Sequence, residues 1–172
     1  MKRILVGQIV NTHGLKGELR IISNFPYKEL VFTKGFKVYV GKRNDLCVIN
    51  SYRKHKIYDM VTFDGIDNID MAIAYKGDYV YIDRDDLKID GFINEDIIGF
   101  VVYNEDLLIG ELTDIINNGA HDILVIKSSN NDRIMVPFVD EYVKKVDLDN
   151  KKSMIETIEG LLDGNWYINI IS

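Results

Sequence analysis

The chain has 172 residues, 47% of them hydrophobic and 28% charged, with a formal net charge of −6, an ordinary balance for a soluble globular protein. No run approaches the ~18 consecutive apolar residues of a membrane helix, and the one cysteine, Cys47, excludes an internal disulfide framework and fits a reducing compartment. The charge is divided unevenly: residues 1–82 hold 13 Lys/Arg against 8 Asp/Glu, and residues 83–172 hold 8 against 19. A basic part joined to an acidic part points to two domains with different partners, the first a candidate for nucleic acid.

Met1-Lys2-Arg3 leads straight into a strand-like pattern with no secretory core, so a cytoplasmic location is expected. Segments 4–10 and 18–23 read as strands around a loop with two glycines, Gly14 and Gly17. Asn24-Phe25-Pro26 breaks the pairing. Strands are then expected over 36–40, 46–52 and 57–63. A short helix capped by Asp67 should follow, with Ile66, Ile69 and Ile73 on one face and Gly77 as its stop. Segment 78–82 closes a first part of six strands, a pattern that suits a small closed barrel. The charged stretch 83–92 has no periodicity and is the expected linker.

The acidic part, 93–172, repeats the all-β signature. Strands are expected over 97–102, 107–116, 123–126 and 133–136. One helical turn should start at Pro137, and a hairpin should run from Val146 to Ile158. The apolar tail Trp166–Ile171 reads as a last strand or a mobile end. The fold class expected is therefore all-β, two small barrels with one or two short helices.

Catalysis finds little support. His13, His55, His121 and Cys47 are scattered without ligand spacing, so neither a metal nor a cofactor is expected. Gly14-Leu15-Lys16-Gly17 precedes a strand and lacks Gly-Lys-Ser/Thr, so it is no P-loop. Gly119-Ala120-His121-Asp122 reads as a turn. Binding is better supported. Thr12, His13, Lys16 and Arg20 can each offer a hydrogen bond or a charge to an anion. Arg53, Lys54 and Lys56, with Lys42 and Arg43, lie at strand ends where lysine and arginine meet phosphates without reading sequence. Tyr52, His55 or Tyr58 could stack on unpaired bases. Spacing alone leaves a set of unrelated surface charges equally open.

Taken together, several motifs resemble the ribosome maturation factor RimM family. They are Val6–Arg20 (VGQIVNTHGLKGELR), Phe63-Asp64-Gly65-Ile66-Asp67, Ile97-Ile98-Gly99, Asn118–Val125 (NGAHDILV), Val136-Pro137-Phe138-Val139 and Glu159-Gly160-Leu161-Leu162-Asp163, in the family's order. The resemblance implies a six-stranded, translation-factor-like barrel followed by a PRC barrel. It also implies a non-enzymatic assembly factor, acting as a monomer on the head of the free 30S subunit. Such a factor contacts 16S rRNA and ribosomal protein uS19, and supports 16S rRNA processing. Thr12, His13, Lys16, Arg20, Arg53, Lys54 and Lys56 then become candidate RNA contacts, and Phe92, Ile93, Pro137 and Phe138 candidate contacts to the ribosomal protein. Phe92 and Ile93 stand where the family carries paired tyrosines, so apolar contact survives there while two hydroxyl donors are lost. The alternatives are a flavin-reductase-like barrel enzyme and a generic PRC-barrel adaptor.

Overall fold

The computed structural model describes residues 1–155. The motif at 159–163, the end of the last expected hairpin and the tail Trp166–Ile171 lie outside the described residues. The chain divides into two compact units, Met1–Ile89 and Asp90–Ser172.

In the first unit, β1 (Arg3–His13), β2 (Glu18–Ile22), β3 (Lys37–Val40), β4 (Asp45–His55), β5 (Tyr58–Phe63) and β6 (Tyr79–Asp83) close into a barrel in the order β1-β2-β5-β4-β3-β6. All of these pairings are antiparallel. Alternation supplies the core. Leu19 and Ile21 are fully buried while Arg20 between them is only partly covered, and Val38 and Val40 repeat the pattern on β3. Each such aliphatic side chain contributes about 1.5–3 kcal/mol of transfer free energy on burial. The 11-residue β1 serves two neighbours by bending: its register shifts between Ile9 and Asn11 against β2, and between Leu5 and Gly7 against β6.

Three local features depart from the expected elements. A single helical turn, α1 (Lys28–Val31), follows Pro26 and delivers Val31 and Phe32 to the core. The second turn, α2 (Ile69–Ala72), is capped by Asn68, whose side chain accepts from the Met71 N–H, and not by Asp67. Its buried residue is Ala72, whereas Ile73 opens a 3-10 turn and is 48% exposed. The expected linker begins as part of the barrel. The Asp83 carboxylate accepts from the Asp85 N–H, Arg84 N–H donates to the Lys2 carbonyl, and Leu87 is buried.

The second unit is a six-stranded sheet of β7 (Val101–Asn104), β8 (Leu107–Asn117), β9 (Asp122–Lys127), β10 (Arg133–Pro137), β11 (Val143–Asp147) and β12 (Lys152–Ile155), in the order β10-β9-β8-β7-β12-β11. The β12–β7 pair is parallel. Where a strand was expected from Ile97, a helical turn α3 (Asn94–Ile97) stands instead. Asp96 accepts from the Ile93 N–H, Ile97 plugs the core, and Gly99 at φ +93° turns the chain into β7. Pro137 ends β10 and does not begin a helix. The segment behind it is a turn closed by Tyr142 and Val143 donating to the Val139 carbonyl.

Candidate nucleic-acid interface

The loop between β1 and β2 is shaped by its glycines. Gly14 (φ +69°) has open space where a Cβ would stand, whereas at Gly17 (φ +92°) a Cβ would run into the Ile66 carbonyl oxygen. The Ile69 N–H donates to the Leu15 carbonyl, so the loop is fastened to the start of α2. This leaves Leu15 and Lys16 exposed at its tip.

Around the barrel wall, β2 runs beside β5, and β5 beside β4, with Arg20 opposite Met60 and Met60 opposite Arg53. That adjacency gathers a cluster from four strands. An Arg20 terminal nitrogen lies 2.7 Å from His13 Nδ1 on β1, and the guanidinium sits over the Tyr58 ring at 5.5 Å. The His13 and His55 rings are 5.9 Å apart. Arg53 donates twice to the Glu18 carboxylate, at 2.9 and 2.7 Å. This fork holds the Glu18 carboxyl below the usual range. His55 is pushed down, first by partial desolvation and then by the positive charges of Arg53 and Lys56.

A second polar cluster is more enclosed. Asp59, fully buried, accepts from Lys28 Nζ at 2.9 Å and from the Tyr52 hydroxyl at 2.6 Å, and Lys54 Nζ is 3.5 Å away. Desolvation and the Asp59 carboxylate push the Tyr52 phenol up to about 12, and the Asp59 hydrogen bond raises Lys28. Phe32 stacks on Tyr52 at 5.9 Å and 12°.

Of the seven residues expected to meet RNA, the structure gathers His13, Arg20 and Arg53 in one cluster. Lys54 belongs to the Asp59 group. Lys56 occupies the exposed β4–β5 turn at φ +56°, and Lys16 sits at the other hairpin's tip. Thr12 is a β1 residue opposite Leu19 whose N–H is taken by the Asn11 side chain. Glu18, Asp59 and Lys28 were not anticipated. Their roles come from the β2–β5–β4 order, which nothing in their spacing shows.

In the second unit Ile93 and Pro137 are buried, so neither offers a surface. Phe92 and Phe138 are partly exposed and stack at 6.5 Å and 11° against the core. Beside them Asp122 accepts from the Asn94 and Asn117 amides, its carbonyl receives the Phe138 N–H, and the Asn118 side chain accepts from the Ala120 and His121 N–H groups. Asn117–Asp122 is therefore a turn built by its own side chains. Among the described residues no group of three or more His, Cys, Asp or Glu could hold a metal, and no helix is long and apolar enough to cross a membrane.

Comparison with known sequences places two domain families on the chain: the RimM N-terminal domain over residues 4–87 and the RimM PRC barrel domain over residues 94–161. A ribosome maturation factor RimM of Staphylococcus haemolyticus is 39% identical over 168 residues, 94% of this chain and 99% of that protein. A Staphylococcus aureus protein of the same name is 40% identical over the same shares. One from Shouchella clausii is 35% identical over 166 residues, 92% and 96% of the two chains.

Proposed function

We propose, for a chain that belongs to the RimM family, that it is a non-enzymatic maturation factor of the small ribosomal subunit. It acts in the cytoplasm as a monomer on the free 30S subunit during formation of its head and processing of 16S rRNA. The first barrel meets 16S rRNA, and the second unit meets a basic ribosomal protein, uS19. The observation that carries this reading is the division of charge between two compact units: 15 basic and 11 acidic residues over 1–89, and 6 and 16 over 90–172. A basic surface gains affinity for polyphosphate by releasing counterions, and an acidic surface steers a basic protein. Two modest contacts on one chain also combine into one useful affinity when both can be made together. On the second unit, Phe92 and Phe138 supply the apolar centre of such a contact.

Retrieval of the tagged full-length chain from cells tests the reading. Recovery of 16S rRNA precursor and uS19, with little large-subunit RNA, is expected. Recovery of neither overturns it.

A further inference from the structure

We propose that Arg20, His13 and His55 form a phosphodiester-binding subsite on the first barrel, and that filling it takes up a proton at His13. The inference deepens the RNA contact proposed for this barrel and rests on that reading.

The geometry supplies the argument. A guanidinium has donors only, so the 2.7 Å contact requires His13 Nδ1 to be the acceptor. His13 is then the neutral tautomer with its proton on Nε2, and one arm of Arg20 is spent on it. Arg20 Nε is buried and has no hydrogen-bond partner. This buried donor lies beside an aromatic shelf, Tyr58, and is left over for a further acceptor. His55 brings a second imidazole within 5.9 Å of the first. The fixed charges facing the pair are Arg20 on β2, Arg53 on β4 and Lys56 at the β4–β5 turn, against one carboxylate, Glu18, already held by Arg53. In the empty site Arg20 is therefore tied to His13, and desolvation with the neighbouring positive charges disfavours the His55 imidazolium.

A phosphate oxygen reverses both conditions. Its negative charge favours the imidazolium. Once Nδ1 carries a proton from solvent, His13 can no longer accept from Arg20. The guanidinium arm and the new Nδ1–H are then both donors to the phosphate. No covalent bond changes; one hydrogen bond is exchanged and one proton enters. Binding therefore strengthens as pH falls through the histidine range.

The test uses the full-length protein and the dinucleotide UpU, which carries one phosphodiester and no terminal phosphate, followed by NMR of the imidazole protons at several pH values. UpU should move the His13 and His55 signals and raise both titration midpoints. Its affinity should rise about 3- to 10-fold from pH 7.5 to pH 6, as uptake of up to one proton allows. Arg20→Gln should abolish the shifts. His13→Gln should bind UpU with a flatter pH profile. Unmoved imidazole signals, an unchanged pH profile in His13→Gln, or shifts with inorganic phosphate but not UpU (an adventitious ion only) each overturn the proposal. If UpU has no effect while wild type and Arg20→Gln are retained alike on small subunits, the subsite falls and the ribosomal reading stands. If UpU behaves as expected and subunits are not retained, the reverse holds.

Discussion

Single residues set the tolerances of the first barrel. Gly17 and Gly14 share a left-handed backbone but differ in surroundings. Gly14→Ala should cost about 1–2 kcal/mol for backbone strain alone. At Gly17→Ala the Ile66 carbonyl adds a clash, for about 2–4 kcal/mol in total by denaturant unfolding. Equal losses at the two sites would contradict the close packing of loop and α2. Tyr52 gives a prediction in pH. Its phenol is pushed up to about 12 in the folded chain, above the ordinary tyrosine value of 10.0, so the folded chain holds that proton more tightly than the unfolded one. The resulting stability is complete below pH 10 and is lost as pH rises from 10 towards 12. Thermal unfolding of wild type should therefore fall more steeply over that window than that of Tyr52→Phe. Partial exposure of Tyr52 keeps the difference modest. Parallel curves would mean that the Tyr52–Asp59 bond is not maintained in solution.

At the scale of elements, the barrel has one thin seam. β3 and β6 share two paired positions, Tyr39 with Tyr81 and Val40 with Val80, while β4 and β5 share six. Native-state hydrogen exchange should open amides along β3–β6 at lower free energy than those along β4–β5. The opposite order would mean that the barrel opens elsewhere. The same elements show what the sequence made legible. Period-two alternation at Leu19, Ile21, Val38 and Val40 marked strands, and Gly14 and Gly17 marked a hairpin, because those signals are local. The strand expected at Ile97 failed for a physical reason: two adjacent branched aliphatics, Ile97 and Ile98, satisfy a buried strand and a plugged helical turn equally well, and the Asp96 carboxylate accepts from the Ile93 N–H at the start of the turn. Asn68 displaced Asp67 as cap because side-chain geometry, not residue type, chooses between neighbours. The cluster of His13, Arg20 and Tyr58 was half visible. Its basic and aromatic members stood out as types, but their meeting depends on β2 lying against β5, a long-range pairing with no mark in the sequence. Asp59 was invisible for the same reason, since only the fold surrounds it with Lys28, Tyr52 and Lys54.

At the scale of the molecule, the account depends on the chain carrying two surfaces of opposite sign. If the basic barrel binds RNA through phosphates, affinity for small subunits should fall linearly with the logarithm of salt, and removing one contacting cation should lower the slope by about one. The charge on exposed Lys16 and on Arg20 makes this separable from folding. Lys16→Glu with Arg20→Glu should weaken subunit binding about 10-fold or more at moderate salt, with two contacts removed and reversed. The thermal midpoint should fall only slightly, because Lys16 is exposed and Arg20→Glu gives up the contacts with His13 and Tyr58 without opening the barrel's apolar core. The most direct measurement is sucrose-gradient co-sedimentation of the full-length protein with purified free 30S subunits and, separately, with joined 70S ribosomes, for wild type and the double variant. Wild type should travel with free small subunits and be absent from joined ribosomes, and the double variant should be largely lost from the small-subunit fraction. Wild type that stays at the top of every gradient, or that follows joined ribosomes equally well, would contradict it.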